Sequence, residues 1–163
     1  MSIEELGQFV TTPIHSASMG GNVEIIQFLI NQKADLLAKD EDGNSCIHWA
    51  SQCGQVQAVE FLLEFFSIEE KGQQNMTPLH QACLGGSLEV VEFLLQRGAN
   101  IEAKEEMGMT NLHCAAHFDH IQVVKCLVEK GANVNALDKD GLTARDHAEA
   151  LEHEEIVKFF DTL

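Results

Sequence analysis

The chain has 163 residues, the length of one ordinary domain. Apolar residues make up 45% and aromatic residues 6% of it, so the core must be built mainly from aliphatic side chains. The formal net charge of −16 opposes binding to nucleic-acid phosphates and to anionic lipid, and we expect neither as a partner.

The lack of a recognisable targeting signal and the cysteine usage both point to a reducing compartment. No apolar run approaches the length of a membrane span, and the N-terminus lacks the basic and hydrophobic regions of a signal peptide. The 5 cysteines form no CxxC pair, which is typical of free thiols. We therefore expect a soluble cytoplasmic protein that could also enter the nucleus.

One short pattern, a Ser or Thr followed three residues later by His, recurs along the chain. Its copies are TPIHSA (12–17), SCIHWA (45–50), TPLHQA (77–82), TNLHCA (110–115) and, with Asp for His, TARDHA (143–148). They start 32 or 33 residues apart, and an apolar segment follows each copy. A repeat of this period is typical of stacked solenoids, because one unit cannot bury its own apolar face.

Each unit predicts two short helices and a turn. The Ser or Thr is the expected N-cap of the first helix, and Pro13 and Pro78 stand at its first position. The second helix has apolar residues at helical spacing, as in LEVVEFLL (88–95). Gly98 and Gly131 are placed to end that helix in a left-handed conformation.

This arrangement resembles the ankyrin repeat, whose D-x-x-G-x-T-P-L-H-x-A pattern is met nearly in full by residues 40–50, 77–82, 105–115 and 138–148. The resemblance implies an all-α ankyrin solenoid of helix-turn-helix units with hairpin loops, forming a single domain over 1–163. We expect an N-terminal cap at 1–11 and repeats at about 12–44, 45–76, 77–109, 110–142 and 143–163. The last repeat, with Asp146 at the His position and many carboxylates, is predicted to be a C-terminal cap.

The resemblance also implies a structural role for the motif residues, in which the imidazole bonds the capping residue and a neighbouring turn. These residues are Thr12, His15, His48, Thr77, His80, Thr110, His113 and Thr143. No catalytic motif is present, so we predict no enzymatic activity, no cofactor and no metal site. In the run His113-x3-His117-x2-His120 the repeat leaves only His117 unexplained, and metal binding through His117 is the cofactor-dependent alternative.

Stacking places residues about one repeat apart side by side. The turns are then expected to form an acidic ridge, made of Asp40, Glu41, Asp42, Glu69, Glu70, Glu105, Glu106, Asp138 and Asp140. Beside it, Met76, Met109 and Leu142 precede the motif residues. They form either a concave apolar strip for a partner or a cover over the core of the next repeat. The predicted partner-binding residues are Glu41, Asp42, Asn44, Trp49, Gln52, Gln74, Met76, Leu84, Glu106, Met107, Met109, His117, Phe118, Asp140 and Leu142.

The pattern breaks between the second and third repeats, where the step is 32 and Phe65-Phe66 stands in place of Gly-Ala. Either one Phe is buried in a repacked turn, or an aromatic anchor is exposed there. Asn75 occupies a position where a turn Gly is usual, and Asn tolerates positive φ. Phe118 is expected on the concave face.

We therefore predict a monomeric protein–protein interaction module, whose partner presents basic residues around an apolar core. A small stoichiometric inhibitor or regulator of a kinase or transcription factor is the first alternative. An alternative of a different class is a substrate of an asparagine hydroxylase, modified at Asn135, a position that the family resemblance implies.

Overall fold

Five helix-turn-helix pairs make up the computed structural model over residues 12–163, the part of the chain that the structure describes. The first or inner helices are α1 (Pro13–Met19), α3 (Cys46–Gln52), α5 (Pro78–Leu84), α7 (Asn111–His117) and α9 (Ala144–Ala150). The second or outer helices are α2 (Val23–Asn31), α4 (Val56–Leu62), α6 (Leu88–Gln96), α8 (Ile121–Glu129) and α10 (Glu154–Phe160). The predicted all-α stack is confirmed, while the predicted cap at 1–11 lies outside the described residues.

The pairs stack through like helices, inner on inner and outer on outer. Inner helices contact one another more extensively, because small residues let their backbones approach: Ala50, Ala82, Ala115 and Ala148 are completely buried. The core they share with the outer helices is one continuous apolar cluster. None of the helices between residues 12 and 163 is long and apolar enough to cross a membrane.

The motif His completes the cap of its own inner helix. In α5 the backbone N–H of Thr77 donates to Nδ1 of His80 at 3.2 Å, and the Thr77 hydroxyl lies 2.8 Å from the same nitrogen. Equivalent contacts join the capping residue to His15, His48 and His113. Because a backbone N–H can only donate, Nδ1 must be unprotonated, and in the neutral ring Nε2 carries the hydrogen.

That Nε2–H reaches forward to the next repeat in two of the units. His48 Nε2 is 3.2 Å from the carbonyl oxygen of Met76, and His113 Nε2 is 3.0 Å from that of Leu142. Asp146 replaces the ring in the fifth unit: its carboxylate accepts the N–H of Thr143 at 2.8 Å and the Thr143 hydroxyl at 2.6 Å. The Asp146 carboxylate thus takes the place of the accepting Nδ1 of the ring, but it offers no donor in place of Nε2–H.

A second set of side chains reaches backward to the preceding repeat. His120 Nε2 donates to the carbonyl oxygen of Leu84 at 2.9 Å, and His153 Nε2 donates to that of His117 at 3.0 Å. The hydroxyl of Ser87, at the equivalent position, donates in the same way to the previous inner helix. These bonds satisfy carbonyl groups at helix C-termini, which have no partner within their own helix.

The irregular turn after α4 buries one phenylalanine and exposes the other. Phe66 is 8% exposed, as are Ala99 and Ala132 after the glycines that end α6 and α8. Phe65 is 46% exposed, with its ring centroid 5.5 Å from that of Phe61. The interpretation with one Phe buried in a repacked turn thus describes Phe66. Asn75 has φ 61°, so it adopts the left-handed conformation expected of it.

Candidate partner-binding groove

A groove of about 320 Å³ lies between the turns and the inner helices α3, α5 and α7. Most of the predicted binding residues line it: Asp42, Asn44, Trp49, Gln52, Gln74, Met76, Leu84, Met107, Met109, His117 and Phe118. Glu41, Glu106, Asp140 and Leu142 are exposed but lie outside its lining. The repeat register therefore brings together side chains from three units on one concave surface.

Two positions of each inner helix form the floor of the groove, namely the residue after the motif His and the residue three further on. They share a face because residues three apart are neighbours on a helix. In order along the stack they are Trp49 and Gln52, Gln81 and Leu84, and Cys114 and His117. Gln81 and Cys114 were not among the predicted residues, although their register with Trp49 identifies them.

The turns form the opposite wall and are hydrogen-bonded to one another through the backbone. The N–H of Glu106 donates to the carbonyl oxygen of Gln74 at 2.8 Å, and the N–H of Lys139 donates to that of Met107 at 2.9 Å. This wall leaves apolar surface open to solvent, because Met107 is 47% exposed and Phe118, across the groove, is 45% exposed.

The prediction of an acidic ridge is wrong for three of its carboxylates, because these three point into the turns. Asp40, Glu105 and Asp138 share one repeat position, and each accepts the backbone N–H four residues later at 2.8 to 2.9 Å. Asp40 also accepts the indole N–H of Trp49 at 2.7 Å. These carboxylates stabilise the turns, and the exposed acids that remain along the tips are Glu41, Asp42, Glu106 and Asp140.

Three further predicted polar residues are engaged within the stack. Asn44 is only 5% exposed, and its side-chain oxygen accepts the N–H of Gln73 in the next turn at 3.0 Å. The Asn44 side chain therefore links two repeats, while its contact with a partner stays a prediction. In the ridge, Glu69 accepts the N–H of Asn100 at 2.7 Å, and Glu70 lies 3.5 Å from the ammonium of Lys39.

Two histidines face each other at one edge of the groove. Nδ1 of His117 lies 3.3 Å from Nδ1 of His147, which is 30 residues further along the chain. Burial, reinforced by the neighbouring His147 and His153, lowers the pKa of His117, so its ring is neutral at pH 7. His117 was a predicted site residue and His147 was not, because the contact between them joins two repeats.

The buried carboxylate of Asp138 contacts the other nitrogen of the His147 ring. Nε2 of His147 lies 2.7 Å from Oδ2 of Asp138, whose side chain is 3% exposed. Burial by itself raises the pKa of Asp138, but hydrogen bonds from His147 and from two backbone N–H groups outweigh it, and the pKa is lowered. Asp138 is therefore ionised and orients the His147 ring.

Comparison with known proteins found one matching family model and several relatives of partial similarity. The family model for ankyrin repeats (many copies) matches residues 14–63, 79–128 and 112–160. The chain is 34% identical over 90 residues to the probable 26S proteasome regulatory subunit p28 of Saccharomyces cerevisiae, covering 53% of this chain and 40% of that protein. It is 33% identical over 102 residues to the transient receptor potential cation channel subfamily A member 1 homolog of Caenorhabditis elegans, covering 61% and 8%. The chain thus spans less than half the length of either relative.

Proposed function

Because this chain belongs to the ankyrin-repeat family, we propose that it is a protein-binding module whose groove holds a segment of a protein partner. The observation that carries this proposal is the pair of half-exposed apolar side chains, Met107 and Phe118, that flank a groove floored by Trp49 and Leu84. A partner that covers such side chains removes their apolar surface from water, and anchors of this kind supply most of the affinity at interfaces. We propose no catalytic role for the chain itself.

The charge around the groove supports a partner segment that combines basic and apolar residues. Asp42 lines the groove and is exposed, and Glu41 and Glu106 are exposed on the neighbouring turns. Together with the net charge of −16 on the whole chain, these carboxylates attract cationic segments and repel acidic ones. Their main effect is on association rate and partner choice, while the apolar anchors determine how long the complex lasts.

The test uses a peptide selected from a displayed random library against the immobilised chain. We expect Phe118→Ala and Met107→Ala each to weaken binding of that peptide about tenfold or more, because a buried anchor contributes about 2 kcal/mol. Phe28→Ala is the matched control, since Phe28 is 60% exposed on α2, outside the groove. Unchanged affinity in both groove variants would overturn the proposal, as would a large loss of folding stability with unchanged affinity.

A second candidate function is that of a modification substrate. Asn135 is exposed in the turn between α8 and α9, and its backbone N–H donates to Asn133 Oδ1 at 3.0 Å, so the turn presents it in a defined conformation. Incubation with an asparagine hydroxylase is expected to add the mass of one oxygen atom, and Asn135→Ala to abolish the addition. Oxygen that is still added to the Asn135→Ala variant would rule out this site.

A further inference from the structure

Two of the histidines in residues 12–163, His117 and His147, neither cap an inner helix nor bond the backbone of a neighbouring repeat; His147 Nε2 contacts Asp138 as the Trp49 indole contacts Asp40. His15, His48, His80 and His113 cap inner helices, and His120 and His153 join repeats through the backbone. His117 and His147 instead stand at the two positions of the inner helices that face the groove. We propose that His117 and His147 form a binding site for Zn²⁺, with both Nδ1 atoms as ligands.

The spacing of the two nitrogens fits one tetrahedral metal ion. Zinc binds imidazole nitrogen at about 2.0 to 2.1 Å, so two nitrogens on one tetrahedral ion are about 3.3 to 3.4 Å apart. Nδ1 of His117 and Nδ1 of His147 are 3.3 Å apart. In the absence of metal a single hydrogen lies between them, on Nδ1 of the neutral His117 ring. An entering ion takes both Nδ1 lone pairs, and that hydrogen moves through solvent to Nε2 of His117, so both rings stay neutral.

Asp138 supplies the outer-sphere support that metal-binding histidines use. Its Oδ2 lies 2.7 Å from Nε2 of His147, which places the hydrogen of the neutral ring on Nε2 and leaves the Nδ1 lone pair for the metal. Its Oδ1 is held by the backbone N–H groups of Asp140 and Leu142, both at 2.9 Å. The carboxylate is therefore fixed before any ion arrives, and its negative charge favours a cation nearby.

The site has two protein ligands and two open coordination positions. No group of three or more His, Cys, Asp or Glu side chains suited to one metal ion occurs in residues 12–163. His117 also lines the groove, so the open positions are accessible to water or to a side chain of a molecule bound there. The inference stands apart from the proposed binding function, because zinc alone is sufficient to test it.

Isothermal titration calorimetry with Zn²⁺ alone on the full chain tests the site. We expect one binding event, at least tenfold weaker in His117→Gln and in His147→Gln, and about tenfold weaker in Asp138→Asn. Mg²⁺ is expected to give no binding, because it prefers oxygen ligands. Cys53→Ser, which removes an exposed thiol elsewhere, is the control and should bind like the unaltered chain.

Two results would overturn the zinc site. One is the absence of binding by the unaltered chain, and the other is equal zinc affinity in the unaltered chain and His117→Gln. His117 is the deciding position because it is only partly buried, so its replacement does not disturb the core. As a spectroscopic check, Zn²⁺ should shift the ring nitrogen resonances of His117 and His147 together and leave those of His80 in place.

Discussion

Nε2 of His113 lies 3.0 Å from the carbonyl oxygen of Leu142, 29 residues further along the chain. The other nitrogen of the same ring, Nδ1, accepts the backbone N–H of Thr110 at 3.2 Å. One neutral imidazole thus caps its own helix and holds the next turn against it. Cohesion between these repeats depends on this directional bond as well as on the packing of Ala-lined helices.

Replacing His113 by Ala should destabilise the fold strongly. The change leaves the Thr110 N–H and the Leu142 carbonyl without their partner and creates a cavity, and we expect a loss of about 2 to 4 kcal/mol in the free energy of unfolding. Urea unfolding followed by circular dichroism measures it. Gln122→Ala, an exposed position on α8 of the same repeat, is the control and should change stability little. A loss below about 1 kcal/mol in His113→Ala would contradict the role of the ring.

Acid should weaken the stack through His80. Burial, together with the charge of Lys71, lowers the pKa of this ring from 6.5 to about 4, so the folded chain keeps it neutral. The unfolded chain binds the proton more readily, so this contribution to stability is complete above pH 6.5 and is lost as the pH falls toward 4. We expect the unfolding free energy to drop between pH 7 and pH 5, and to drop less in His80→Gln.

The His80 ring also offers a direct readout of that pKa. A nuclear magnetic resonance titration of its carbon-bound ring protons should show no protonation of the folded chain down to about pH 5. Titration of this ring near 6.5 in the folded state would refute the explanation, whatever the overall stability does.

Two glycines at equivalent positions should differ in their tolerance of Ala. A Cβ on Gly85 would overlap the backbone carbonyl of Gln52 in the preceding inner helix, whereas a Cβ on Gly20 would lie no closer than 3.6 Å to its nearest neighbour. Both residues have right-handed φ, so backbone strain does not distinguish them. We expect Gly85→Ala to lower the melting temperature by several degrees and Gly20→Ala to leave it unchanged or raise it. Equal effects would contradict the close approach of α3 and α5.

Neutralising exposed acids at the groove should slow association. In the double variant Asp42→Asn/Glu106→Gln we expect a severalfold lower association rate for the selected peptide at low salt, with little change in dissociation rate. Glu24→Gln/Glu129→Gln carries the same change in net charge at exposed sites on outer helices and is the control. The difference between the two variants should shrink as salt is added. Rates that do not depend on salt would contradict the electrostatic part of the proposal.

The helix pairs were predictable because caps, apolar spacing and Ala positions repeat in phase, and each is a local signal. The place of Trp49 on the groove floor was predictable from the same repeat register. The inward carboxylate of Glu105 was not predictable from charge, because its partner is a backbone N–H rather than another side chain. Contacts between repeats, such as Asn44 with Gln73, were missed because spacing gives the register of two turns but not the direction of a side chain.

The fluorescence of Trp49 reports whether a partner occupies the concave groove. Trp49 is the only tryptophan in the sequence, and it lines the groove. Quenching of its fluorescence by acrylamide should fall when the selected peptide saturates the chain, and the Phe28→Ala control should behave identically. Saturating binding that leaves the quenching of Trp49 unchanged would show that the partner binds outside the groove.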